Sequence, residues 1–187
     1  AIPAFEKAVA EKSNAQYAVG VNSATSALHI ACLALGVGAG DTVWTSPTTF
    51  VASANCARFC GASVDFLDID PRTWCMDIKN FRQKLEHHQT ASLALPKIVI
   101  PVHLSGQSCE MQEISELGQE YGFRIIEDAS HAIGGSFQNV PVGSCRYSEI
   151  TVFSFHPVKI ITTGEGGMAL TNDKKIADHM ARLRSHG

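Results

Sequence analysis

The apolar positions change their period along the chain. Short runs of aliphatic and β-branched residues alternate with longer stretches at helical spacing. The short runs predict strands at 17–21, 42–46, 63–68, 97–102, 124–128, 149–155 and 167–171. The spaced stretches predict helices at 3–12, 25–35, 50–60, 78–86, 111–121 and 173–184, and 87–95 is expected to be a solvent loop. Ile98-Val99-Ile100 is apolar at three consecutive positions. A strand covered on one face would alternate, so this one is expected to be covered on both. Strands alternating with helices build βαβ units, and the expected fold class is α/β with a mostly parallel sheet.

Length and charge narrow the setting. A chain of 187 residues can enclose one sizeable core. A net charge of −3 removes the electrostatic case for nucleic acid or an anionic membrane surface. No apolar run approaches the ~18 residues that a membrane-spanning helix needs. The opening Ala1-Ile2-Pro3-Ala4-Phe5-Glu6 has no basic segment followed by an apolar one, so no signal peptide is read and a cytoplasmic location is expected. The six cysteines, Cys32, Cys56, Cys60, Cys75, Cys109 and Cys145, include no C-x-x-C pair. They are expected to be reduced, small apolar residues, with no metal site. Gly36-Val37-Gly38-Ala39-Gly40 follows a predicted helix and precedes a predicted strand. That is the reverse of the dinucleotide-binding order, so it reads as a helix stop.

Ligands of open α/β sheets gather at the carboxyl ends of the strands. Four features of the sequence fall there. Asn22-Ser23-Ala24-Thr25-Ser26 puts small hydroxyl residues at a helix N-terminus, where free N–H groups and the helix dipole favour an anion. Thr48-Thr49-Phe50 places an aromatic ring at a strand-to-helix junction. Ile125-Ile126-Glu127-Asp128-Ala129-Ser130-His131 delivers a carboxylate to the end of an apolar strand, with a histidine beyond it. Phe153-Ser154-Phe155-His156-Pro157-Val158-Lys159, followed by Thr162-Thr163-Gly164-Glu165-Gly166-Gly167, sets a lysine in apolar surroundings beside a glycine segment. Such a lysine gives up its proton readily and suits Schiff-base chemistry.

Alone, each feature has an ordinary explanation: an N-cap, a packing residue, another N-cap, a surface lysine. Together they match what pyridoxal phosphate (PLP) requires. The cofactor needs a phosphate cradle, a ring stacker, an acid opposite the pyridine nitrogen and a lysine for the aldehyde.

The same segments, with Thr45-Ser46-Pro47 before the aromatic, resemble the DegT/DnrJ/EryC1/StrS family of nucleotide-sugar aminotransferases, in order and over nearly the whole chain. The resemblance implies the large domain of a fold type I PLP-dependent transferase, with a seven-stranded sheet in an α/β/α sandwich. Residues 1–187 are then expected to form the PLP-binding large domain. An N-terminal segment and a small C-terminal domain are expected to lie outside the chain, and the full-length protein is expected to be a homodimer. The resemblance assigns Lys159 the covalent hold on PLP and the transfer of the substrate proton. Asp128 pairs with the pyridine nitrogen, and Phe50 stacks on the ring. Ala24, Thr25 and Ser154 bind the phosphate, Ala24 by its backbone N–H. His131 lies near the cofactor's O3′ or ring face, and the segment 162–167 helps shape a sugar site.

Within the family, Trp44-Thr45-Ser46-Pro47, Ala54-Asn55-Cys56-Ala57, Gly106-Gln107-Ser108-Cys109 and Ser154-Phe155-His156-Pro157-Val158-Lys159 are similar to the members serving pseudaminic acid biosynthesis. They imply amination at C4 of a UDP-linked 4-keto-6-deoxy-N-acetyl-hexosamine, with L-glutamate as amino donor. The alternatives are an aminotransferase for another nucleotide-linked keto sugar and a non-catalytic relative. A PLP-dependent sugar dehydratase of the same family typically carries histidine in place of the lysine, and Lys159 speaks against it.

Overall fold

The computed structural model describes residues 1–186. Its elements run α1 (Ile2–Ser13), β1 (Tyr17–Val21), α2 (Ala24–Ala34), β2 (Thr42–Thr45), α3 (Ala52–Phe59), β3 (Ser63–Phe66), α4 (Ile78–Thr90) and β4 (Ile98–Ile100). There follow α5 (Met111–Tyr121), β5 (Arg124–Asp128), the short pair β6 (Ser136–Phe137) and β7 (Val140–Pro141), β8 (Ile150–Ser154), β9 (Gly167–Thr171) and α6 (Lys174–Arg184). Seven strands form one sheet in the order β1-β9-β8-β5-β4-β2-β3. Neighbours from β3 to β8 are parallel, and β9 is antiparallel to both β8 and β1. β1 therefore points the same way as the parallel block. The carboxyl ends of β1, β2, β5 and β8 share an edge with the amino end of β9.

Both faces of the sheet are covered, which explains the continuous apolar strands. Ile98 and Ile100 pack with α2, α3 and α6 in one core. Val99, between them, packs with Trp44 and residues of α4 and α5 on the opposite face. A third cluster joins α1 through Phe5 and Val9 to Phe153, Phe155, Met168 and Leu170. The result is the expected α/β/α sandwich. At about 25 cal/mol per Å², complete burial of a side chain such as Leu28 or Ile98 contributes roughly 2 kcal/mol.

Local chemistry explains where the elements stop. Gly36 ends α2 at φ 75°. Its N–H donates to the Leu33 carbonyl and the Val37 N–H to that of Cys32. This pair of bonds is a Schellman cap, so the expected helix stop is present. Asp173 opens α6 by accepting from the Lys175 and Ile176 N–H groups.

Several expected boundaries are corrected. The predicted strand 97–102 is cut to Ile98–Ile100, because Pro101 has no N–H to continue the ladder. Helix α4 runs to Thr90, so His87–Thr90 are helical and not part of a loop. Phe81 and Leu85 anchor it in the core. Helix α3 begins at Ala52 and leaves Phe50 in the preceding turn. The β6–β7 hairpin is absent from the sequence-based expectation. Its two turn residues, Gln138 and Asn139, both have positive φ, as this tight turn requires.

Candidate active site

The strand ends enclose a cleft of about 250 Å³. Its lining includes all seven predicted site residues: Ala24, Thr25, Phe50, Asp128, His131, Ser154 and Lys159. Separate chain segments deliver them, and the sheet order brings those segments together.

The first wall is the start of α2. Ser23 caps the helix, its Oγ accepting from the Ser26 N–H at 3.1 Å. The Ala27 N–H bonds the Ser23 carbonyl. Among the described residues the Ala24 and Thr25 N–H groups have no such partner, as the first turn of any helix dictates. They are left to an anion, with the Thr25 and Ser154 hydroxyls alongside in the lining. Gly167 keeps this wall in place. A Cβ there would lie 2.3 Å from Ser23 C, 2.4 Å from Ser23 O and 2.5 Å from Ala24 N. Only glycine lets β9 approach the helix start so closely.

Asp128 ends β5 and is 4% exposed. Its Oδ2 accepts from the Ser53 hydroxyl at 2.6 Å, and its Oδ1 accepts from the Ser130 hydroxyl at 2.6 Å and the Ser130 N–H at 3.2 Å. Every partner is a donor, which suits an anionic carboxylate in a place that exposes it only to the cleft. Ser53 belongs to α3, and its Oγ lies 2.7 Å from Thr49 Oγ1. Sequence reasoning misses Ser53, because one small polar residue on a helix has many uses.

Lys159 sits in the turn after β8, where its N–H bonds the His156 carbonyl. The apolar neighbours in sequence predict a buried lysine, and the structure leaves it half-buried. Partial burial still lowers its pKa, against an opposing pull from Asp128. A larger share of its amine is therefore neutral than in free lysine. His131 also has a lowered pKa, first through burial and then through the Lys159 charge, with Asp128 pulling the other way. Its Nδ1 accepts from the Ser105 N–H at 3.1 Å. Phe50 lines the cleft and is 70% exposed, so its ring does not fill a core. In the segment 162–167, Thr162 and Thr163 fold the loop back onto the Phe155 carbonyl. Only Glu165 and Gly166 of that segment line the cleft.

Behind Asp128 lies a polar group that sequence reasoning also misses. Glu127 points to the other face of β5, where Oε2 meets His103 Nε2 at 2.8 Å and Oε1 accepts from Ser148 Oγ at 2.5 Å and Thr151 Oγ1 at 3.0 Å. His103 Nδ1 accepts from the Cys109 N–H at 3.1 Å. The ring proton is therefore on Nε2, and it points at Glu127. Burial pushes the Glu127 carboxyl up, but these donors outweigh it and hold the group below its usual range.

The donor set fits PLP. Two free N–H groups and two hydroxyls suit a phosphate, the serine-held Asp128 suits a protonated ring nitrogen, and Lys159 shares their cleft. All six cysteines are free thiols. No helix is long and apolar enough to cross a membrane among the described residues.

The chain is similar in sequence and fold to several known proteins. The chain is 42% identical over 185 residues to GDP-perosamine synthase of Caulobacter vibrioides, covering 98% of this chain and 47% of that protein. It is also 42% identical over 183 residues to UDP-4-amino-4,6-dideoxy-N-acetyl-beta-L-altrosamine transaminase of Campylobacter jejuni, covering 98% and 46%. Helicobacter pylori PseC, a solved aminotransferase involved in the biosynthesis of pseudoaminic acid, matches with TM-score 0.89 at 32% identity, covering 100% of this chain and 48% of that one. The PLP form of the putative sugar aminotransferase Spr1654 from Streptococcus pneumoniae matches with TM-score 0.85 at 27% identity, covering 100% and 50%. The chain thus spans about half the length of these relatives. The profile of the DegT/DnrJ/EryC1/StrS aminotransferase family matches residues 1–187, and the chain belongs to that family.

Proposed function

We propose that the chain is the cofactor-binding large domain of a PLP-dependent aminotransferase that acts on a nucleotide-linked keto sugar. One observation carries this reading: Lys159, Asp128, His131, Phe50, Ser154 and the α2 N-terminus converge on one cleft from separate strand ends. The bound cofactor would supply an aldehyde for an amine and a ring that withdraws electrons from the adjacent carbon. Lys159 Nζ would hold that aldehyde between turnovers, then take and return the substrate proton. Asp128, fixed by Ser53 and Ser130, would keep a ring nitrogen protonated. Ala24, Thr25 and Ser154 would anchor the phosphate, and Phe50 would cover the ring. Glu165 and Gly166, which line the cleft, would meet the sugar.

The amino donor in this reading is L-glutamate. The acceptor is C4 of a UDP-linked 4-keto-6-deoxy-N-acetyl-hexosamine, as in pseudaminic acid biosynthesis, and the Campylobacter relative supports it. The equal identity to GDP-perosamine synthase supports a second reading, amination of a GDP-linked keto sugar. The full-length protein in this proposal is a homodimer. Phe50, Val51, Val158, Ile160 and Ile161 form an exposed apolar rim near the cleft that a partner would cover. The free thiols suit the reducing cytoplasm.

Borohydride reduction of the PLP-treated full-length protein, followed by peptide mapping, tests the cofactor site. A phosphopyridoxyl group on Lys159 is expected, and labelling elsewhere would overturn the assignment. Supplying glutamate with the UDP-linked and the GDP-linked 4-keto sugar in parallel then decides between the two acceptors.

A further inference from the structure

The turn between β4 and α5 meets two imidazoles, and for both it fixes which nitrogen carries the proton. A backbone N–H can only donate. The Cys109 N–H points at Nδ1 of His103, and the Ser105 N–H points at Nδ1 of His131. Neither Nδ1 can then hold a proton. For His103 the remaining Nε2–H is spent on buried Glu127. No protein acceptor takes the His131 Nε2–H among the described residues, and His131 lines the cleft.

The local backbone is built for this contact. Ser105 stands at φ 54° and ψ 20°, in the left-handed region that a non-glycine residue rarely adopts. Gly106 follows at φ +91°, and a Cβ on it would lie 3.0 Å from the His131 carbonyl oxygen. The turn is tied down at both ends. The His103 N–H donates to the Asp128 carbonyl and the Gly106 N–H to that of His103. The strained residue and the close glycine together aim one N–H at one ring nitrogen.

We propose that Ser105 and Gly106 are positioning residues that lock His131 in its neutral Nε2–H form, so that the cleft presents a hydrogen-bond donor to an anionic oxygen of the bound ligand. An unlocked histidine would offer a lone pair there for part of the time and repel such an oxygen. The lowered pKa of His131 agrees: burial disfavours a second proton, the Lys159 charge adds to that, and Asp128 opposes it. The lock itself stands on the chain's own geometry. Its use on a ring oxygen rests on the reading of the cleft as a PLP site.

The test is a long-range ¹H–¹⁵N correlation spectrum of full-length protein carrying ¹⁵N-labelled histidine. His131 is assigned by the signal lost in His131→Gln. The expected result is a proton on Nε2 alone, both without ligand and with PLP added. A proton on Nδ1, or on both nitrogens, overturns the proposal. Ser105→Gly keeps the N–H and is expected to keep the tautomer; a mixture in that variant also overturns it. Gly106→Ala, where it folds, is expected to give both tautomers and to weaken PLP binding about tenfold or more, the worth of one hydrogen bond to a charged oxygen. An unchanged Gly106→Ala spectrum counts against the lock. A protein with the expected tautomer that fails to take up PLP supports the lock and refutes the cofactor reading, so the two failures are distinguishable.

Discussion

Gly167→Ala puts one methyl group where the site can least accept it. The new Cβ would lie 2.3–2.5 Å from three backbone atoms of Ser23 and Ala24. Ordinary contact begins at 3.4 Å, so something must retreat by about 1 Å. Strand β9 cannot, because Gly167 is paired with Val21 on one side and Ser154 on the other. The start of α2 must give way, and it carries the Ala24 and Thr25 N–H groups. Overpacking of this kind costs about 1–3 kcal/mol of stability. A displacement of about 1 Å also takes two N–H donors out of register with a bound phosphate. If each loses about 1 kcal/mol, PLP affinity falls about 30-fold. The assay is a PLP titration of the full-length variant, followed by absorbance, beside its thermal melt. The expected variant is folded, melts a few degrees lower and binds PLP at least tenfold more weakly. Wild-type affinity together with a wild-type melt would refute the argument that Gly167 sets the anion site.

Lys159→Ala is expected to abolish transamination in the full-length protein while PLP still binds through phosphate contacts, as measured by turnover beside a dialysis-resistant cofactor count. Asp128→Asn is expected to cost several orders of magnitude in kcat, since a neutral amide cannot favour a protonated ring nitrogen. A near-normal rate would show that another group sets the ring charge. Glu127 predicts a pH dependence of stability. Its folded pKa lies below the ordinary 4.5, so its contribution is complete above that pH and is lost as the pH falls through the folded value. Wild type and Glu127→Gln, unfolded by urea over a pH series, should differ most at neutral pH and converge below about 4.5.

The fold was legible wherever the hydrophobic period was long and both faces of the sheet were covered. Ile98-Val99-Ile100 announced a two-faced strand, and the core clusters divide those residues between the two faces. Errors arose where the period could not decide. His87–Thr90 are polar and read as loop, but Phe81 and Leu85 secure the preceding turns, and the helix propagates past them at little cost. Gln138 and Asn139 make a hairpin turn without the glycine that usually marks one.

The site divides along a similar line. Ala24, Thr25, Phe50, Asp128, His131, Ser154 and Lys159 could be gathered around one cleft from the sequence because they fall at or just after strand ends, and the order of the strands fixes where those ends are. The residues that hold them have no such address. Ser53 reaches Asp128 across 75 positions of sequence, and Glu127 reaches His103 across 24. These contacts exist only once α3, β4, β5 and β8 have been assembled. The Ser105 contact to His131 is less visible still, since a backbone N–H leaves no trace in a side-chain pattern. The glycine after it is the one sequence-level mark of that contact. Gly106 carries the positive φ of a turn and the clearance that the His131 carbonyl requires, and either need alone would account for its presence. D-Alanine at position 106 accepts the positive φ and carries its Cβ on the side opposite to that of the L residue, away from the contact with the His131 carbonyl, so it meets both needs at once. If Gly106 sets the His131 contact, semisynthetic protein with D-alanine at this position should keep the His131 tautomer, while the ordinary Gly106→Ala variant should lose it.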